Sequence, residues 1–225
     1  MDWKPCALPQ LPPTAGAFVA VAPLQESRDA DELFPAIAGP GNEALWRFIA
    51  FGPPETAESL VATLAGARDA GQWQPMTLRA PADGPALGMA SYMRLRPEVG
   101  SAEVGAIVFS RALQRTAAAS EAIYLMARHL FDDLGYRRFE WKCDDANAAS
   151  KRAALRLGFR FEGVFRQDLV VKGKNRDTAW FSMLDSEWPG VRAAFEAWLA
   201  PENFDAAGEQ KRALAAIRTE ITGRA

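Results

Sequence analysis

EVGAIVFSRALQRTAAASEAIYLMARHLFDDLGYRRFEWKCDDANAASKRAALRLGF, residues 103–159, is the stretch on which the fold turns. An apolar strand over 104–109 leads through a turn of small residues into a long amphipathic helix. A second strand over 138–143 and a short helix stopped by Gly158 complete the unit. Ile123, Met126, Ala127, Leu130, Phe131 and Leu134 fall at i, i+3, i+4, i+7, i+8 and i+11, the spacing of one buried helical face. Gly135 ends that helix, since a residue without Cβ takes positive φ freely. A strand, helix, strand unit of this length forces parallel pairing with a right-handed crossover. The turn at 110–120 therefore lies at the carboxyl end of a strand and the amino end of a helix, where an anion binds.

Upstream, residues 1–14 carry Pro5, Pro9, Pro12 and Pro13 and read as an extended arm. A strand over 18–24 follows, then a short helix over 29–37 with Asp29 or Asp31 near its amino end. Gly39-Pro40-Gly41-Asn42 breaks the chain, and Leu45, Trp46, Phe48 and Ile49 form an apolar cluster after it. Pro53-Pro54 stops this segment, and 59–67 reads as a helix with Leu60, Val61 and Leu64 inward. Strands over 73–79 and 87–95 meet at the turn residues Asp83-Gly84. Downstream, 161–171 and 178–184 read as a hairpin across 172–177. A helix opening at Ser186 turns Val191, Ala194, Phe195, Trp198 and Leu199 to one side. The last helix, over 209–221, has only the narrow stripe Leu214, Ile217 and Ile221, suited to a partner such as a second copy in a homodimer, or to the domain's own flank.

At 225 residues, 49% hydrophobic and 24% charged, the chain suits one α+β domain at 15–188, with the arm before it and a C-terminal helical extension at 189–225. A net charge of −2 gives no electrostatic footprint for nucleic acid. No segment reaches the roughly 18 consecutive apolar residues of a membrane span. Cys6 and Cys143 lie far apart without metal-ligand spacing, which fits a reducing, cytoplasmic setting. The apolar run at 15–22 follows four prolines and a single basic residue, Lys4, unlike a secretory signal. Neither a Walker A sequence nor Gly-x-Gly-x-x-Gly is present, so ATP and dinucleotide chemistry lack their loop.

The turn and the short helix together resemble a known family. Gln114-Arg115-Thr116-Ala117-Ala118-Ala119-Ser120-Glu121-Ala122 is similar to the pyrophosphate loop of the GCN5-related N-acetyltransferases, Gln/Arg-x-x-Gly-x-Gly/Ala followed by a helix. Asn147-x-x-Ser150, with Leu157-Gly158-Phe159 after it, resembles the second signature of the same superfamily. The nearest branch is the ribosomal-protein alanine N-acetyltransferase-like group. The resemblance implies a mixed, mostly antiparallel central sheet of about six to seven strands flanked by helices. It also implies acetyl-CoA as co-substrate, no metal, and direct attack by a primary amine in a ternary complex. The amine belongs either to a protein N-terminus or to a small molecule. Two departures stand out. Ala117 replaces the usual glycine and would be strained by about 1 kcal/mol or more if its φ were positive. Ala154 occupies the position where many relatives have a tyrosine. Both keep open an alternative, a catalytically inactive CoA-binding sensor or assembly module.

The resemblance also assigns roles. Backbone N–H groups of Gln114, Arg115, Thr116, Ala117, Ala118, Ala119 and Ser120 would hold the pyrophosphate at the positive end of the helix. The backbones of Ile107 and Phe109, with Asn147, would bind pantetheine, and Ser150 would protonate the departing thiolate. Glu103, eleven residues before Gln114, matches the catalytic glutamate of one branch. Its competitor is Glu140, which shares a strand face with Lys142 and Asp144. Plainer readings stand beside these: an alanine-rich helix start, Asn147 and Ser150 as helix caps, and Glu103 as a strand-edge carboxylate. An α-amino acceptor, with pKa near 8 against about 10.4 for lysine, saves roughly 3.3 kcal/mol of deprotonation. Loops 39–58 and 172–177 are expected to shape the acceptor pocket. His129 reads as a surface residue, and Lys172, Lys174 and Arg176 as a solvated hairpin tip.

Overall fold

The computed structural model describes residues 3–223. Eight strands form one sheet: β1 (Thr14–Ala15), β2 (Ala20–Pro23), β3 (Trp73–Arg79), β4 (Ala86–Arg96), β5 (Ser101–Phe109), β6 (Arg138–Asp144), β7 (Arg160–Val171) and β8 (Lys174–Leu184). Their order is β1-β2-β3-β4-β5-β6-β8-β7, and only β5 and β6 are parallel. The fold is thus the expected mixed, mostly antiparallel α+β sheet. The strand beyond the expected six to seven is the two-residue β1, at the end of the proline-rich segment.

Six α-helices accompany the sheet: α1 (Glu26–Leu33), α2 (Ala57–Asp69), α3 (Ala117–Arg128), α4 (Ala148–Leu157), α5 (Trp188–Leu199) and α6 (Leu214–Thr222). Two buried clusters result. Ala90, Tyr92, Val104, Phe139 and Phe181 pack with residues of α3 to α6, while Met89 and Val108 pack with Leu33, Leu60 and Leu64 of α1 and α2. Met89 and Ala90 are adjacent on β4 and alternate in direction, so the clusters occupy opposite faces of the sheet. Among the described residues, no helix is long and apolar enough to cross a membrane.

α3 runs on as a π-helical turn, His129–Asp133, before Gly135 (φ +68) ends it. Its residues from Ala119 to Ala127 are buried all round, because α5 covers the side away from the sheet: Phe195 stacks on Tyr124 at 5.2 Å and Trp188 on Phe131 at 5.3 Å. The proline-rich segment closes the rest. The buried Glu121 carboxylate accepts the N–H groups of Ala17, Phe18 and Val19 at 2.8, 2.6 and 3.0 Å. Tyr136 donates to the carbonyl of Ala7 at 3.0 Å, so the arm is packed down along the domain.

Three local readings differ from the structure. The first helix starts at Glu26, three residues before the expected position, and Asp29 stands buried at the end of its first turn, near the amino end as expected. There Asp29 pairs with Arg79 of β3, accepts from Thr77 at 2.6 Å and takes the N–H of Gln25 at 2.7 Å. The final helix starts at Leu214, because Asn203 holds the preceding segment through the N–H groups of Lys211 and Arg212. Leu214 and Ile217 are buried against the domain's own flank. The 172–177 hairpin tip shrinks to Lys172-Gly173, both at positive φ (+51 and +72), as a two-residue turn of twisted strands requires.

The Asp29–Arg79 pair generates a prediction. Asp29→Ala leaves the buried guanidinium with Glu32 as its one remaining ion-pair partner and should cost about 1–3 kcal/mol, read as a lower urea midpoint. Asp31→Ala, on the exposed side of the same helix, should stay within about 0.5 kcal/mol.

Candidate active site

β5 and β6 keep register for four pairs, from Ser101↔Arg138 to Val104↔Trp141, and no further. The reason lies on β5. Ala106 has φ +47, and between Ser91↔Gly105 and Met89↔Val108 one extra residue is inserted on β5. A bulge of this kind bends its strand and leaves residues unpaired. Beyond it, Ile107 and Phe109 of β5 and Lys142, Cys143 and Asp144 of β6 line the two sides of a cleft of 1760 Å³. Ordinary small-molecule pockets hold about 300–1,000 Å³. This one has room for an elongated ligand and a second reactant together.

The 110–120 turn closes one end. The side-chain amide of Gln114 donates to the Phe109 carbonyl at 3.0 Å and folds the loop back on its strand. Thr116 is the N-cap of α3: its hydroxyl accepts the Ala119 N–H at 3.2 Å and donates to the Leu113 carbonyl at 2.7 Å. Ala117 and Ala118 follow as the first helical residues, whose N–H groups have no intrahelical acceptor. The positive φ of the loop falls on Arg115 (+63), not on Ala117. The strain expected of an alanine in place of glycine is therefore absent.

Glu103, Ile107, Phe109, Gln114, Arg115, Thr116, Ala117, Ala118, Ala119, Asn147 and Ser150 all line the cleft. Ser120 does not; it is buried in the first turns of α3, where its hydroxyl accepts from Arg156 at 2.7 Å. At the head of α4, the Asn147 side chain caps the Ser150 N–H at 3.1 Å. The Ser150 hydroxyl accepts from the Trp141 indole at 2.9 Å and has the Cys143 thiol as its other neighbour, so its proton remains on the hydroxyl for donation. Capping and chemistry are compatible here, because the cap uses the backbone of Ser150 and the side chain faces a different partner.

Glu103 stands at the last pairs before the strands part, in register with Glu140. Both are buried, but their surroundings differ. Glu140 accepts from Arg96 at 2.6 Å, Arg138 at 2.7 Å and Ser101 at 3.3 Å, and it does not reach the cleft. Glu103 does reach it, and its partner is Lys142, with Nζ 2.6 Å from Oε2; Arg94 stands 3.8 Å away. Lys142 lies 4.7 Å from the centre of the Trp180 ring, which fixes the cation from its other side. Burial pushes the Glu103 carboxyl above its ordinary range; Lys142 and Arg94 oppose that push and Glu140 adds to it. Gly105 is required beside it, since a Cβ there would stand 2.5 Å from Met93 Sδ and 2.9 Å from Glu103 Oε1.

The hairpin tip is exposed at Lys172 and Lys174, as expected, but it is tethered to the rest of the domain. Lys172 donates to the Trp46 carbonyl at 2.9 Å, so loops 39–58 and 172–177 meet, and Arg176 lines the cleft. His129 is buried, with Nδ1 2.8 Å from Asp133. Sequence reasoning missed Lys142 as a site residue. Its alternation with Glu140 on β6 was visible, but its partner lies on β5 and only the register reveals it. Among the described residues no group of three His, Cys, Asp or Glu side chains is placed to hold a metal ion.

Residues 19–160 match the family model described as an acetyltransferase (GNAT) domain. A GCN5-related N-acetyltransferase from Brucella melitensis is 43% identical, covers 96% of this chain and 98% of its own, and superposes with a TM-score of 0.91. A protein of the GNAT family from Chromobacterium violaceum ATCC 12472 is 38% identical over 84% of this chain and 93% of its own, with a TM-score of 0.78. The spermidine N-acetyltransferase of Vibrio cholerae, solved with CoA and spermine, shares the fold alone: 15% identity, 77% and 99% coverage, TM-score 0.64. No curated protein matches the sequence.

The Glu103–Lys142 pair generates a titration test. Lys142→Met removes an interaction that favours the charged carboxylate, so Glu103 should then hold its proton to higher pH than in the wild type. The ¹³C carboxyl shift of labelled glutamate followed against pH measures this, and an unmoved midpoint would refute the pairing.

Proposed function

The chain belongs to the GNAT acetyltransferase family and is an acetyltransferase, and from that premise we propose that it moves an acetyl group from acetyl-CoA to a primary amine within a ternary complex. The observation that carries this reading is the gathering, in one cleft, of the open β5 edge, the capped start of α3, Glu103 and Ser150. The free N–H groups at Ala117 and Ala118, the small side chains around them and the helix's partial positive charge suit a pyrophosphate. The unpaired backbone of β5 around Ile107 and Phe109 suits the amides of pantetheine, with Asn147 across the gap.

Glu103 takes a proton from the acceptor's ammonium, directly or through one water. The freed amine attacks the thioester carbonyl carbon, the C–S bond breaks, and the thiolate receives the Ser150 hydroxyl proton. The proton shed by the new amide nitrogen replaces it. Glu103 is preferred to Glu140 as base because it alone of the two borders the cleft. A base with its pKa raised toward the working pH transfers protons efficiently. The acceptor is a protein α-amino group or a small amine. Of the two departures that favour a non-catalytic CoA-binding module, Ala117 carries no strain and Ala154 is offset by Ser150, so transfer is the stronger reading.

Acetyl-CoA at about 100 times its dissociation constant should add roughly 2.7 kcal/mol of apparent stability, seen as a raised Tm. Glu103→Gln should keep that shift and lose about 10²- to 10⁴-fold in thiol release with an amine acceptor. Undiminished turnover in that variant would remove Glu103 from the mechanism; an unchanged Tm in the wild type would remove acetyl-CoA.

A further inference from the structure

Three buried side-chain atoms of β8 have no hydrogen-bond partner among the described residues: Arg176 Nε, Thr178 Oγ1 and Trp180 Nε1. Positions i, i+2 and i+4 of a strand share a face, so the three form a row. Register sets Trp180 beside Lys142 and Thr178 beside Asp144. The row therefore leads from Lys142, which holds Glu103, outward to Arg176 in the cleft wall.

The other cations along this face are occupied. Arg94 stands between Glu103 and Glu140, Arg96 and Arg138 bind Glu140, and Lys172 is spent on the Trp46 carbonyl. Arg176 makes no ion pair among the described residues. Arg176 is half-buried, with its Nε shut off from solvent and without an acceptor, and a guanidinium cannot shed its charge to escape that cost. The cleft thus keeps an unspent cation on the strand that carries the hairpin, away from the α3 start proposed for the pyrophosphate.

We propose that Arg176 receives a carboxylate carried by the acceptor, so that the acceptor is an amine with an anionic tail and not a polyamine. This rests on the acetyl-transfer reading above. The planar guanidinium fork matches a carboxylate in two parallel hydrogen bonds, and of the row on β8 Arg176 is the residue that borders the cleft. Residues 176 and 180 are about 13 Å apart along β8. Allowing for the arginine's reach, amine and carboxylate stand about 10 Å apart, the length of about three extended residues.

The test uses triglycine, triglycinamide and 1,8-diaminooctane as acceptors with acetyl-CoA. Wild-type enzyme should favour triglycine over triglycinamide by about 10- to 100-fold in kcat/KM, with the diamine poorest. In Arg176→Gln that preference should fall to near unity, with the KM for acetyl-CoA and the Tm held at wild-type values. Equal use of triglycine and its amide by the wild type, or a preference that survives the substitution, overturns the proposal. So does a raised acetyl-CoA KM, which would give Arg176 to the coenzyme. If none of the three is acetylated, calorimetry on enzyme saturated with CoA reads the same preference as binding, and equal binding of triglycine and triglycinamide overturns it. Failure of the acetyl-transfer reading itself is separate, visible as no Tm shift with acetyl-CoA.

Discussion

Every backbone N–H and C=O of a strand needs a partner, and β5 is denied its parallel partner after four residues. That single interruption organises the molecule. The left-handed backbone at Ala106 inserts a residue against β4, β5 bends, and the β5–β6 ladder ends at Val104–Trp141. An exposed strand edge is ordinarily a liability that invites pairing with another chain. Here it is enclosed in a cleft, with a capped helix start at one end and the hairpin fastened over the other. The sheet's eight strands and the two cores on its faces hold this gap open, since neither β5 nor β6 can relax toward the other without losing its neighbour in an antiparallel ladder.

At the point of parting stand two buried carboxylates side by side. Like charges this close in a poorly solvated setting are tolerable only with nearby cations, and the sheet supplies them unevenly. Glu140 is enclosed by Arg96, Arg138 and Ser101 and behaves as a structural ion. Glu103 has Lys142 on one side and the cleft on the other. Paired titratable groups whose environments diverge take different roles, and that divergence comes from strand register: one more residue of pairing would have sealed Glu103 in as well.

Much of this was legible in the sequence, and the exceptions have physical causes. The helical stripe from Ile123 to Phe131 and the strands on either side needed only periodicity. The 73–79 strand, with its turn at Asp83-Gly84, was equally plain. Ala117 misled because the family pattern places a flexible residue there, whereas the chain spends its positive φ two residues earlier, on Arg115. His129 seemed exposed because a single amphipathic stripe implies a wet far side, whereas the helix is buried nearly all round. The 209–213 segment reads as helix by composition, but Asn203 captures its backbone from outside. Lys142 and Arg176 had ordinary surface chemistry in one dimension; their partners, or lack of them, arise from strands far apart in sequence. Ser120 belongs to the motif by position yet turns toward Arg156.

The Glu121 clasp carries a consequence for anyone shortening or tagging this protein at its front end. Residue 121 lies only four positions, about 6 Å along the axis, from the start of α3, and its carboxylate accepts three main-chain N–H groups at 17–19. A form beginning at residue 20 would leave that carboxylate without its three donors, one turn from the helix start proposed for the pyrophosphate. Such a form would also lack β1, the buried Leu11 and Val19, and Phe18 of the cleft wall, so the opening segment completes the sheet and the setting of the helix start together.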